Sequence, residues 1–405
     1  MRALFFFCLM TTLLGPAAAH NKSLSFSEWI WAGKTLSVSF TTPARDVTLL
    51  PEIAEAQDLS AALATHVSNH LKLVQINTPC RLDTPFKKRP ARAGYIRVEG
   101  QFNCFNEAAR ITIHNHAFFN LASSHVHFAR ITMAGSKLAD SEEILFTATQ
   151  RGLAIRPGVD GTVDAGTNAL ETFENYLALG ISHILTGYDH LAFVACLILI
   201  AQTRRRAIYL VTGFTLGHSL TLAVAALGWV TPNAIVVEAL IGGSIAFVAA
   251  ESILARQGKM PLLGVSLAAL FFVASGLAVI FGSSVSLAVW ANLMLFCLCY
   301  GLAVETPEDA ARFAPVLTLV FGLIHGFGFA GLLVDIGLPT DRLLTGLFAF
   351  NLGVELGQLL VLLPVFIFGP YLLEELPKFK IKWADMAAVG LTSFGVYLFV
   401  SRLLV

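Results

Sequence analysis

The chain has 405 residues, a mean hydropathy of +0.70, 56% hydrophobic residues and 13% charged ones, which excludes an ordinary soluble enzyme and fits a polytopic membrane protein. Its formal net charge of zero provides no bulk attraction to nucleic acid, so none is expected as a partner. What informs is where the charges sit along the chain.

The first segment has the layout of a secretory signal: Arg2, an apolar run from Ala3 to Leu14, then Gly15-Pro16 and Ala17-Ala18-Ala19. Cleavage after Ala19 gives residues 1–19 as signal peptide. Residues 20–165 are polar and strand-like, and predict an exported β-rich, sandwich-like domain. Leu36–Phe40, Tyr95–Val98, Ile111–Ile113, Phe128–Ile131 and Ile144–Phe146 carry the strand patterns, and Glu52–Val74 has helical periodicity. Cys80 and Cys104 form the only cysteine pair in this region, where a disulfide is chemically permitted. His114/His116 and His125/His127 each place two imidazoles on one face of a strand. A hairpin pairing the two segments would bring four together as a capture surface for nickel, copper or zinc. His66 and His70, four apart on the expected helix, are read as solvated. Arg156–Gly166, rich in Gly and Asp, is read as a linker.

Residues 166–405 form the transmembrane domain. Eight apolar spans are expected, at 174–202, 206–229, 233–254, 261–282, 284–304, 314–337, 341–370 and 384–404, with the division at Phe281–Ser284 the least defined. With the N-terminal domain outside, Arg204–Arg206, Arg256, Lys259, Arg312 and Lys378/Lys380/Lys382 fall in cytoplasmic loops, leaving Arg342 and Arg402 outside, as the positive-inside rule requires. The reading is a multi-pass protein of a bacterial inner membrane with a periplasmic N-terminal domain.

Ionisable residues inside these spans are expensive, and they mark function by default. The first span holds Gly180-Ile-Ser-His183-Ile-Leu-Thr-Gly187-Tyr-Asp189-His190. His218 and His325 lie about twelve and eleven residues into their spans, near the midplane at 1.5 Å per residue. Asn351, Glu355 and Gln358 form one polar stripe, with Gly353 and Gly357 on the opposite face. Gly322/Gly326 and Gly353/Gly357 have the spacing of close helix contacts. Imidazole and carboxylate together ligate divalent transition metals, nickel, cobalt, copper and zinc alike. The metal set is therefore His183, Asp189, His190, His218, His325 and Glu355. One geometric obstacle stands: on a regular helix His183 and His190 are about 10.5 Å apart. Either the helix opens at Gly187 or the two belong to successive points on a path.

The blocks His183…Asp189-His190-Leu-Ala-Phe193, Phe-Thr-Leu-Gly-His218-Ser, Phe-Gly-Leu-Ile-His325-Gly-Phe-Gly-Phe-Ala and Phe350-Asn351-Leu-Gly-Val-Glu355-Leu-Gly-Gln358 resemble the HupE/UreJ family of hydrogenase- and urease-accessory membrane proteins. The first two blocks are also similar to motifs of nickel/cobalt transporters. The resemblance covers about residues 175–370 and implies a nickel or cobalt permease, with His183, Asp189, His190 and His218 as ligands or pathway residues and His325 and Glu355 as further ones. It implies a metalloenzyme-maturation or periplasmic metal-delivery protein as partner. No Walker motif is present, so this chain does not itself use ATP. The alternatives are an intramembrane metal-dependent hydrolase, against which stands the lack of HExxH, and a metal-sensing or assembly scaffold.

Overall fold

The computed structural model describes residues 23–403 apart from 92–93, 107–109, 123–124, 138–140, 149, 159–161, 166–168, 202, 231, 281–285, 337–339 and 375–379. The expected signal peptide, the Phe281–Ser284 division and Lys378 lie outside the described residues. The chain divides into two compact units, Met1–Asn168 and Ala169–Val405.

The first unit contains two sheets. One has the order β5-β6-β2-β1-β8-β9, from Arg81–Arg89, Tyr95–Asn103, Thr35–Pro43, Leu24–Ala32, Val126–Met133 and Glu142–Phe146. The other runs β11-β10-β7-β3-β4, from Val163–Asp164, Gly152–Pro157, Ile111–Asn115, Leu71–Gln75 and Thr78–Pro79. Trp29, Trp31, Val38 and Phe40 of the first sheet and Leu71, Leu73, Ile111 and Ile113 of the second share one buried core. Their alternation with less buried neighbours is what a half-buried strand requires. Helix α1, Leu59–His70, begins where the Asp58 side chain accepts from the Ala61 amide. The chain then turns into β3 at Leu71, earlier than helical periodicity suggests, because Leu71, Leu73 and Gln75 alternate into the core. Cys80 and Cys104 are disulfide-bonded, with Cα atoms 4.6 Å apart.

Two expectations are corrected. The stretch read as a linker pairs with itself: β10 and β11 are antiparallel, with Arg156 bonded to Asp164. The histidine hairpin does not form, because β7 pairs β3 and β10 while β8 pairs β1 in parallel and β9 antiparallel.

The second unit is helical: α2 Ala169–Thr186, α3 Tyr188–Ala201, α4 Arg204–Ala226, α5 Ala234–Gln257, α6 Pro261–Ile280, α7 Leu287–Ala303, α8 Pro307–Ile336, α9 Thr340–Glu374 and α10 Lys380–Leu403. Among the described residues five helices are long and apolar enough to cross a bilayer, or six when the bent pair α2/α3 is taken as one broken span. The regions expected as spans four and five contain shorter apolar helices, Leu262–Gly276 and Leu287–Ala303. The unit is that of a multi-pass membrane protein.

Side-chain caps fix several starts: Thr203 accepts from the Arg206 amide at α4 and Asn233 from the Val236 amide at α5. Glycines set the tightest contacts. A Cβ at Gly217 or Gly322 would run into the opposite backbone, Leu319 O or Phe214 O, so α4 and α8 meet main chain to main chain. Gly180 and Gly353 do the same for α2 and α9.

Candidate metal site

The site begins at a break. Helix α2 ends at Thr186, α3 starts at Tyr188, and the two axes bend by 72° at Gly187. A Cβ on Gly187 would sit 2.8 Å from both the His183 carbonyl oxygen and His190 Nδ1 and 3.3 Å from Asp189 Oδ1, so only glycine fits. The bend removes the distance that a straight helix would impose. His183 Nε2 and His190 Nε2 lie 3.2 Å apart. Two nitrogens bound to one ion at 2.0–2.1 Å in a tetrahedral arrangement are about 3.3 Å apart, so the pair has the separation of co-ligands.

His218 of α4 completes the group: the candidate ligand atoms of His183, His190 and His218 all lie within 4.8 Å of one another. All three residues are buried. The hydrogen bonds behind two of the rings decide which nitrogen is available. Asp189 Oδ1 accepts from both the backbone amide and Nδ1 of His190, each at 2.9 Å, which fixes the tautomer with a lone pair on Nε2. Asn351 of α9 donates its amide to the Leu347 carbonyl, so its Oδ1 is the acceptor at 3.3 Å from His218 Nδ1, and Nε2 is again the lone-pair nitrogen.

The structure places the predicted residues in distinct positions. Asp189 is not in the three-nitrogen group. It stands behind His190, with Oδ2 accepting from the Arg402 guanidinium of α10 at 3.1 Å. A carboxylate bonded to the far nitrogen of a ligating imidazole orients the ring and raises its basicity. Arg402 also donates to the Glu238 carbonyl and lies 3.9 Å from the Glu238 carboxylate. Sequence reasoning left Arg402 at the outer end of the last span and missed its role. The available signal was one arginine within an otherwise apolar helix terminus.

His325 of α8 sits beside the group, its ring 5.4 Å from that of His190. Ser244 of α5 donates to the Ile241 carbonyl, so its oxygen accepts from His325 Nε2 at 3.0 Å. His325 Nδ1 is left a buried lone pair with no hydrogen-bond partner among the described residues. Glu355 is further away, on the α4–α9 seam, where Oε1 accepts from Thr212 at 2.7 Å and Oε2 is buried without a partner among the described residues. Gln358 accepts from Thr215 at 2.8 Å on the same seam. Glycines 353 and 357 on the other side of α9 pack against Leu177, Gly180, Ile181 and Ile184 of α2. One helix therefore packs closely on α2 and presents its polar stripe to α4.

In the β unit, His125 and His127 are buried and their ring nitrogens bond to Ser23, Ser25 and Ser27 at 2.6–2.9 Å, which uses both nitrogens of each ring. Burial holds His125 down to about 3 and His127 well below the ordinary imidazole range. A second group with metal-compatible spacing, Glu52, His66 and His70, occurs there too. His66 is buried rather than solvated: its Nδ1 donates to Glu52 at 3.0 Å and its Nε2 accepts from the Phe118 amide at 3.2 Å. Both His66 nitrogens are thereby used, Nδ1 on Glu52 and Nε2 in holding Phe118, a non-glycine residue at φ 66.

Residues 160–289 and 301–402, more than half of the chain, match the family described as HupE / UreJ protein. No curated protein matches the chain.

Proposed function

The chain belongs to the HupE/UreJ family, and from that premise and the three converging imidazoles we propose that it is a permease for nickel or cobalt rather than an enzyme. The observation that carries the reading is the pair of Nε2 atoms 3.2 Å apart with a third imidazole nitrogen within 4.8 Å, all buried inside apolar helices. A dication crossing a bilayer must exchange its water ligands for protein ones. His183, His190 and His218 offer neutral nitrogens, which replace water without the penalty of burying further charge. Asp189 and Asn351 set the tautomers that keep the lone pairs turned inward. His325, with Nδ1 free for a ligand, is the next nitrogen beyond His190.

Sidedness follows from the basic residues. Arg206 donates to the Ala311 carbonyl, and Arg256 pairs with Asp385 at 2.8 Å, so the starts of α4, α8 and α10 and the end of α5 meet at one basic end. We assign this end to the cytoplasm of a bacterium and the β unit to the periplasm. In that setting the β unit meets the protein that delivers the ion, and a metalloenzyme-maturation protein receives it inside.

Metal accumulation in cells tests the proposal. Nickel and cobalt uptake falls to the background of cells lacking the protein in a His190→Ala/His218→Ala strain. Uptake equal to wild type in that strain, with the variant present in the membrane, rejects it.

A further inference from the structure

The helical unit buries another carboxyl that the metal site does not use. Glu251 of α5 is 2% exposed. Its Oε1 accepts the Tyr300 hydroxyl of α7 at 2.6 Å, and its Oε2 is buried with no hydrogen-bond partner among the described residues. A carboxylate in this position keeps one oxygen desolvated and unpartnered, which is the costly form, whereas a carboxylic acid carries its proton there. The site is therefore built to hold a proton and to release it only when another charge arrives.

Its place in the fold links it to the imidazoles. Glu251 is seven residues beyond Ser244 on one face of α5, about 10.5 Å along the axis toward the basic end. Ser244 bonds His325, whose ring lies 5.4 Å from His190. The order along the unit is thus His190, His325, Ser244, Glu251. Facing Glu251 are Tyr300 from α7 and Arg206 from α4. Helices α3, α6, α8 and α10 also pack on α5, and among the described residues none of them brings a charged side chain to Glu251. At the rim beyond, Arg256 and Asp385 satisfy each other.

We propose that Glu251, held by Tyr300, is the proton-binding site that couples passage of the cation to a proton gradient. Glu251 gives up its Oε2 proton to the water at the basic end as the cation leaves the imidazoles. The carboxylate left behind offsets the cation's charge, and once the cation has gone a proton taken up from the opposite side restores the acid, so one proton crosses with each cation. This inference rests on the permease reading, and its test separates the two.

Nickel uptake into vesicles containing the purified protein is measured across a pH series for wild type, Glu251→Gln and Tyr300→Phe. Nickel titrations and infrared difference spectra are taken on the same preparations. Wild-type uptake changes about tenfold per pH unit on the titrating limb, the slope of one proton. In Glu251→Gln the profile is flat to within about twofold while nickel binding is retained, which also reports that the variant is folded. The infrared band of a protonated carboxyl titrates in wild type, shifts in Tyr300→Phe and is absent in Glu251→Gln. A pH slope unchanged in Glu251→Gln, or a band that survives the substitution, overturns the proton site and leaves the permease intact. Wild-type vesicles that move no nickel at any pH overturn the permease, and the coupling with it.

Discussion

Asp189 shows how one side chain sets the chemistry of another. Its two oxygens serve different partners, His190 Nδ1 and Arg402. In Asp189→Asn the amide nitrogen cannot accept from a guanidinium, so the amide oxygen turns to Arg402 and the NH2 group to Nδ1. That arrangement favours the tautomer with hydrogen on Nε2 and removes the lone pair from the site. Nickel affinity in calorimetric titration is expected to fall about 10- to 100-fold, or about 1.4–2.7 kcal/mol. An affinity within twofold of wild type would mean that Asp189 does not position His190. The histidines of the β unit behave in the opposite way, since both rings are held neutral by burial. An unfolded chain protonates them near 6.5 and the folded chain protonates His125 only near 3, so it is the unfolded state that binds more protons in between. Their contribution is complete above about pH 6.5 and is lost as pH falls toward 3, by about 1.4 kcal/mol per unit for His125 alone. Hydrogen-exchange protection in β1 and β8 is expected to drop accordingly between pH 6.5 and 5. Constant protection over that range would contradict the sign.

At the scale of elements, the break between α2 and α3 makes the site possible. Periodicity places His183 and His190 on one face but two turns apart, and only the 72° bend at Gly187 brings their nitrogens to 3.2 Å. Gly187→Val puts a branched side chain where the His183 carbonyl and His190 Nδ1 already lie within 2.8 Å of a Cβ. Nickel binding is expected to be lost while the α4–α8 and α5–α10 contacts, which do not involve this turn, keep the variant folded in detergent. Retained nickel binding in Gly187→Val would show that the bend is not needed. The sequence revealed much of this: the polar residues within apolar runs, the suspicious glycine and the two faces of α9 are all visible as patterns. What pattern could not supply was the third dimension. Arg402 and Asp189 are 213 positions apart and meet only because α10 packs on α5 and α3. Strand β1 was hidden for a similar reason, because its inward positions Ser25 and Ser27 are polar and are satisfied by His125 and His127, 100 residues away. The same bonds explain why those histidines, apparently poised for metal, form part of a core. Strand pairing across two sheets separates β7 from β8, and no local feature of either segment states which sheet it joins.

At the scale of the whole molecule, two units divide the composition between them. The β unit closes one core over Trp29, Trp31, Phe40 and their neighbours, while the helical unit is apolar outside as well as in. In the helical unit the buried polar groups include the imidazole cluster, the α4–α9 seam, Ser244–His325 and Glu251–Tyr300. In a bilayer such groups persist where function requires them. The imidazoles come from α2 and α3, on either side of Gly187, and from α4 and α8 further along the chain, and an arrangement that only buried polar residues at random would have no reason to bring three imidazole nitrogens within 4.8 Å of one another. Crystals or frozen-hydrated particles of the protein with one equivalent of nickel, examined by anomalous scattering or metal-edge absorption, test this most directly. The account predicts a single ion among His183, His190 and His218 with imidazole nitrogens in its shell, and loss of that ion in His218→Ala. An ion bound elsewhere, or the same shell in His218→Ala, would contradict it.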